Sequence, residues 1–310
     1  MVSTVPNQGG AGATTSLPHF SVIVPSFDRP ADLVRCLESL TRLDYPRDRF
    51  DVVVAIDGTG KPPDPVLERL RQALDLTVCA LPRAGPAAAR NAAVERATGQ
   101  FLAFTDDDCT PAADWLRKLA ARFAASAGCL IGGRTVNVLP NRYAAASQLL
   151  TEFLYSCYNP DHGRARLVAS NNLAVSAEAF RAVGGFDTAY ARAGGEDRDL
   201  CERWLRLGCS IQFAPEAVVY HAHPMSFASF WRQHFNYGRG SCLYYRRRSW
   251  LRDGLLGCGR LSFYVSLLRY PLSRKEPANR ASNTALFVAS QGATAAGFLW
   301  ERLAHLNHGH

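Results

Sequence analysis

Short apolar runs alternate with segments of helical spacing along the first third of the chain. Residues 20–24, Phe-Ser-Val-Ile-Val, form a β-branched run closed by Pro25, which predicts a buried strand. In residues 31–40, Leu33, Leu37 and Leu40 fall on one helical face. Residues 51–56 predict a second strand, ending at Asp57-Gly58. Residues 66–74 predict a helix and 76–81 a third strand. Residues 86–98 predict a helix ended by Gly99, and 101–104 a fourth strand running into Thr105-Asp106-Asp107-Asp108. This alternation predicts an α/β fold with a mostly parallel sheet flanked by helices. Ligands of such sheets sit beyond the carboxyl ends of the strands. The segment from Pro25 to Arg29, Asp57-Gly58 and the three aspartates fall there.

Beyond Trp115 the pattern changes. Helical spacing at 114–125 and 143–155 alternates with strand-like pieces at 129–139 and 173–176. A short helix starts at Ser176 and is stopped by Gly184-Gly185. Residues 196–207 predict a helix with Leu200, Cys201, Trp204 and Leu205 on its apolar side, and 211–220 are extended. From Ser226 onward the chain reads as helical, aromatic and basic.

Composition narrows the class. With 310 residues, 47% hydrophobic and 20% charged, the chain can bury a large core and is not of disordered type. A formal net charge of +8 suits anionic partners: nucleotide diphosphates, nucleic acid or an acidic membrane surface. Nine cysteines without a C-x-x-C pair offer no zinc spacing and predict reduced thiols in a cytoplasmic protein. Residues 1–16 are rich in Gly, Ala and Thr, lack a signal pattern and predict a flexible tail. The most apolar stretch, 285–300, is interrupted by Ser290, Gln291 and Gly292 and is too short and polar for a membrane span.

Four features carry chemistry. The strand at 101–104 delivers three carboxylates, and grouped oxygen ligands suit Mg2+ or Mn2+ together with substrate phosphates. The same residues would also serve as a solvated turn or a helix cap. His221 and His223 alternate on an extended segment, so both could face one site and complete a metal centre, or simply lie on the surface. In Gly194-Gly195-Glu196-Asp197, acids in the first helical turn complement the helix dipole. Asp197, however, is in line with the inward face and is a candidate general base. Its helix-terminal position predicts a lowered pKa. Gly85 followed by a helix bearing Arg90 is a candidate phosphate cradle.

Together these segments resemble the family 2 glycosyltransferases of GT-A fold, in the family's order, from about Phe20 to Gly240. Residues 22–30 are similar to the opening strand and nucleotide loop. Ala55-Ile56-Asp57-Gly58 resembles the second strand end, whose Asp contacts base or ribose. Asp106-Asp107-Asp108 resembles the DxD element. Asn172-Leu173-Ala174-Val175 and Gly184-Gly185-Phe186-Asp187 resemble the acceptor-side stretch. Gly195-Glu196-Asp197 resembles the segment supplying the base, and Tyr220-His221 a histidine that joins the metal. Ile56 stands where many members carry a second acid. The Gln-x-x-Arg-Trp element of processive synthases is absent, which argues for a non-processive enzyme.

The resemblance implies a GT-A domain over residues 17–225, its nucleotide half reaching about 110 and its acceptor half covering 111–225. A helical C-terminal region follows at 226–310. It implies an inverting, metal-dependent transfer from a nucleotide-diphosphate sugar to an unidentified acceptor hydroxyl, in glycan or glycoconjugate synthesis. Asp197 would be the base. Pro25, Ser26, Phe27, Arg29, Asp57, Arg90, Asp106 and Asp107 would border the donor. Asp108, His221 and Asp106 would hold Mn2+ or Mg2+, with His223 in reserve, and Asn172 and Glu196 would face the acceptor. The aromatic stretch from Phe227 to Tyr245, followed by Arg246, Arg247, Arg248 and Arg252, is either a packed annex or a peripheral contact with the inner face of the cell membrane. No nucleic-acid recognition module is present in the pattern. Two rival readings stand beside the transferase. A nucleotidyltransferase would want a Gly-rich loop with a Lys after the first strand, where Pro25-Ser26-Phe27 stands instead. A non-catalytic nucleotide-sugar-binding scaffold would not need Asp106, Asp108, Asp197 and His221 together.

Overall fold

A computed structural model describes residues 17–62, 64–126, 128–247, 261–273 and 279–306. The N-terminal tail, Arg248 and Arg252 lie outside the described residues. In chain order the elements are β1 (Phe20–Ser26), α1 (Pro30–Leu40), β2 (Phe50–Asp57), α2 (Asp64–Ala73), β3 (Leu76–Leu81) and α3 (Pro86–Val94). Next come β4 (Phe101–Thr105), β5 (Cys109–Pro111), α4 (Trp115–Ala125), β6 (Leu130–Asn137), α5 (Arg142–Tyr158) and β7 (Asn172–Ser176). The chain continues with α6 (Ala177–Ala182), α7 (Glu196–Arg206), β8 (Ile211–His221), α8 (Phe227–Arg247), α9 (Leu261–Arg269) and α10 (Arg280–Leu306).

The strands form one sheet in the order β3-β2-β1-β4-β7-β6-β8-β5. The β3-β2-β1-β4 half is parallel, as the alternation predicts. β7 then pairs antiparallel with both β4 and β6, β6 pairs parallel with β8, and β5 is antiparallel to β8. Every residue of β1 and β2 is buried, so successive side chains supply opposite cores. Val22, Val24, Val52 and Val54 join one with Leu33 and Trp115; Ile23, Val53 and Ala55 join the other with Phe104 and Trp204. Burial on both faces is what a β-branched, near-continuous apolar run demands.

α3 stops at Val94, four residues before the end that the sequence predicts. The Ser21 hydroxyl accepts the amides of Thr98 and Gly99 at 3.1 and 2.8 Å, and the Thr98 hydroxyl donates to Asp51 at 2.9 Å. Those long-range bonds draw residues 98–99 onto β1 and away from the helix.

α8 and α10 pack closely and, with α5 and α9, bury Phe153, Phe230, Leu267 and Phe287 in a further core. Among the described residues, no helix is long and apolar enough to cross a membrane. α8 also touches the loop that opens α7. A Cβ on Gly240 would lie 1.8 Å from the Gly194 carbonyl oxygen, so only glycine fits there.

His234 of α8 is 5% exposed, and its ring lies 4.4 Å from that of Phe230. Burial lowers its pKa from 6.5 to about 4. The unfolded chain therefore gains a proton below pH 6.5 that the folded chain refuses. Stability is full above 6.5 and declines as pH falls toward 4, by about 3 kcal/mol for a shift of this size. His234→Leu is expected to flatten that decline by a similar amount, read from urea unfolding of both proteins at the two ends of the window. An unchanged pH slope would contradict the assignment.

Candidate active site

The site is assembled by strand ends. β5 pairs with β8 in a register that sets Cys109 opposite His221, and the Ala222 amide donates to the Asp108 carbonyl at 2.9 Å. This pairing places both histidines against one carboxylate. His221 Nε2 is 3.1 Å from Asp108 Oδ1, and His223 Nδ1 is 2.9 Å from Asp108 Oδ2. The two imidazoles lie nearly parallel, 5.6 Å apart. One ligand atom from each of Asp108, His221 and His223 falls within 4.8 Å of the others. A carboxylate with two imidazoles is a donor set that fits a divalent cation. Burial works against the Asp108 charge, but hydrogen bonds from both histidines and the nearby Arg29 hold its carboxyl well below the usual range.

Arg29, just past β1, pairs with Asp108 and, at 2.7 Å, with Asp107. Asp107 is fully buried and accepts the Ser26 hydroxyl at 2.8 Å. Burial pushes its carboxyl up to about 7. It points into the protein, unlike its two neighbours.

Arg90, in the first turns of α3, is buried beneath the cleft. It donates to Asp106 Oδ1 at 2.8 Å, lies 3.5 Å from Glu196 and covers the Phe186 ring at 5.4 Å. Burial opposes its charge, but Asp106, Asp197 and Glu196 outweigh it and raise its pKa. Glu196 accepts the Gly194 amide at 2.7 Å, and burial lifts its carboxyl to about 7. Gly194 and Gly195, with φ of +129° and +99°, permit this turn.

Asp197 corrects a sequence expectation. Its pKa is raised, not lowered: burial dominates, and Arg90 and the Ser170 hydroxyl pull it back only in part. Helix-terminal stabilisation is a surface-scale effect, and desolvation exceeds it here. Its Oδ1 is buried and accepts no hydrogen bond from the described residues. Ser170, which also lines the cleft, is a residue that the sequence reading missed; only its place just before Asn172 hinted at it.

One cleft of about 1170 Å³ gathers Arg29, Arg90, Asp106, Asp108, Glu196, Asp197, His221 and His223. That exceeds the ~300–1,000 Å³ of ordinary small-molecule sites and leaves room for two ligands. Pro25, Ser26, Phe27, Asp57, Asp107 and Asn172 are outside its lining. Pro25 and Ser26 are buried in β1, and the Phe27 ring is covered by Arg83 at 4.7 Å. Asp57 accepts the amides of Ala84 and Gly85 at 2.6 and 2.9 Å, so it shapes the entry to α3. Asn172, read as facing the acceptor, spends its amide internally. It accepts from Trp115 Nε1 at 2.9 Å and donates to the carbonyls of Arg134 and Ala217 at 3.0 and 2.9 Å. It is 1% exposed and braces β6 against β8. Asp106, grouped with Asp108 in the sequence reading, stands with Arg90 instead, and His223 takes its place in the cluster.

The sequence matches the model of Glycosyl transferase family 2 over residues 21–179 and that of Glycosyl transferase family group 2 over residues 101–300. It is 26% identical over 230 residues to glycosyltransferase AglE of Haloferax volcanii, covering 73% of this chain and 74% of that protein. It is 31% identical over 209 residues to the pre-mycofactocin glycosyltransferase of Mycobacterium tuberculosis, covering 66% of this chain. The match spans only 42% of that mycobacterial relative. Among solved structures, mannosyltransferase PcManGT from Pyrobaculum calidifontis, in complex with GDP-Man and Mn2+, superposes with a TM-score of 0.58 at 20% identity. The match covers 94% of this chain and 81% of that one. Staphylococcus aureus TarS 1-349 in complex with UDP-GlcNAc gives 0.52 at 16% identity, over 93% of this chain and 92% of that one. At such identities the structural likeness speaks for the fold, a GT-A-like α/β arrangement, and the family models speak for the lineage: the chain belongs to glycosyltransferase family 2.

Proposed function

We propose that this glycosyltransferase moves a sugar from a nucleotide-diphosphate donor to an acceptor hydroxyl with inversion at the anomeric carbon, in a metal-dependent reaction. The observation that carries this reading is the meeting of Asp108, His221 and His223 in the same cleft as Asp197. Asp108, His221 and His223 would hold Mn2+ or Mg2+, which when bound would neutralise the diphosphate as it leaves. Asp106 and Arg90 border the donor. Arg29 holds the carboxylates of Asp107 and Asp108 in place, and Asp57 positions the loop that opens α3. Pro25, Ser26 and Phe27 carry the chain from β1 to Arg29.

Asp197 accepts the proton of the acceptor hydroxyl while its oxygen bonds to the anomeric carbon and the bond to the diphosphate oxygen breaks. Its carboxylate, on the wall of the cleft, is the site for that proton, and burial makes it a stronger base than an exposed aspartate. Glu196 is tied to Gly194 and Arg90 and holds the acceptor wall. The complexes of PcManGT with GDP-Man and Mn2+ and of TarS with UDP-GlcNAc support the donor class.

Thermal unfolding across a panel of nucleotide sugars tests the reading. At least one donor is expected to raise Tm in proportion to the logarithm of its concentration, and more so with Mn2+ present. A panel in which no nucleotide sugar shifts Tm, with or without Mn2+, would overturn it.

A further inference from the structure

α9 carries apolar residues on both of its faces. Its inner face holds Phe263 and Leu267, with Tyr270 just beyond. The rings of Phe263 and Tyr270 each lie 5.3 Å from Phe153 of α5, and Leu267 is 2% exposed. The outer face holds Leu261, Tyr264, Val265 and Leu268, spaced i, i+3, i+4, i+7 and exposed by 79, 42, 42 and 36%. Leu272 extends the stripe just past the helix, 49% exposed. A contiguous exposed apolar face marks a contact surface.

Charge indicates what covers it. Residues 242–280 hold nine of the chain's 35 Lys and Arg against two of its 27 acids, a local excess of seven beside an overall +8. The basic excess of the whole chain thus falls in the sequence on either side of this one stripe. Apolar side chains flanked by arginines match a bilayer surface, with acyl chains below and anionic headgroups above.

We propose that α9 seats this protein on an anionic lipid membrane, with Leu261, Tyr264, Val265 and Leu268 toward the acyl chains and the exposed Arg269 of the same helix at the headgroups. The seat does not depend on the transferase reading, because lipid binding and sugar transfer are measured separately.

The test is co-sedimentation of the full chain with phosphatidylcholine vesicles made with or without phosphatidylglycerol. The wild type is expected to pellet with the anionic vesicles, far less with the neutral ones, and progressively less as salt rises. The triple variant Leu261→Glu/Val265→Glu/Leu268→Glu is expected to lose at least about tenfold in the vesicle partition coefficient. A Leu261→Ser/Val265→Ser/Leu268→Ser variant adds no charge, and its thermal unfolding and circular dichroism establish that folding is intact. Equal partitioning of wild type and the serine variant would overturn the proposal. So would a wild type that stays in the supernatant with anionic vesicles at low salt. A dimeric wild type whose serine variant is monomeric, with vesicle binding unaltered, would assign the stripe to a second copy of the chain and overturn it as well.

Discussion

Asp108→Asn is expected to lower the rate of nucleoside diphosphate release by at least about a hundredfold, the scale seen when one charge-stabilising group is removed from a transition state. Manganese is also expected to stop raising the melting temperature of the donor-bound protein. The substitution is nearly isosteric and leaves intact the backbone bond from Ala222 to the Asp108 carbonyl, so β5 should stay paired with β8. What disappears is the negative charge that His221, His223 and Arg29 all face. Two imidazoles beside a neutral amide make a far poorer seat for a hard divalent cation. Arg29 keeps Asp107 as a partner, which limits the structural disturbance. Turnover of the variant at near parental rate, with the manganese response preserved, would refute the assignment of Asp108.

Asp197→Asn is expected to cut kcat by at least about a hundredfold while donor affinity stays within about twofold. The two readings separate the base from the donor seat. Asparagine preserves the shape and the contact with Ser170, but its side chain cannot take a proton. Glu196→Gln should behave differently. Its carboxylate lies 3.5 Å from Arg90, which also holds Asp106, so the change should weaken the fixed position of Arg90 and raise KM more than it lowers kcat. If Glu196→Gln abolishes transfer while Asp197→Asn turns over freely, the base is Glu196. Single-turnover kinetics with titration calorimetry for the donor would distinguish these outcomes.

What was legible in the sequence was largely local. β1 and β2 announce themselves because strands buried on both faces need near-continuous apolar, β-branched runs, and β4 because Phe101 to Phe104 is unbroken apolar; Pro25, Asp57 and Asp106 lie at or beside their ends. The antiparallel insertion of β7 between β4 and β6 was not legible, since alternation points to parallel pairing and nothing in the chain marks a strand that departs from it. The early end of α3 depends on Ser21, more than seventy residues upstream. The same holds in the site. Asp106, Asp108 and His221 stood out as candidates because they lie at or beside strand ends, where ligands of open sheets bind. Asp57 and Asn172 look equally well placed in the chain, yet backbone amides and carbonyls from distant segments consume their side chains. The direction of the Asp197 shift failed for a related reason: the local rule sees the helix end, while its burial arises from elements remote in sequence.

The most direct test of the central claim is manganese binding followed by electron paramagnetic resonance, in which only the free aquo ion gives the sharp six-line signal. With a nucleoside diphosphate present, wild-type protein is expected to quench that signal stoichiometrically, one ion per chain, and the His221→Ala/His223→Ala variant is expected to leave most of it. A signal that falls equally with both proteins, or with neither, would contradict an ion held by Asp108 and its two histidines.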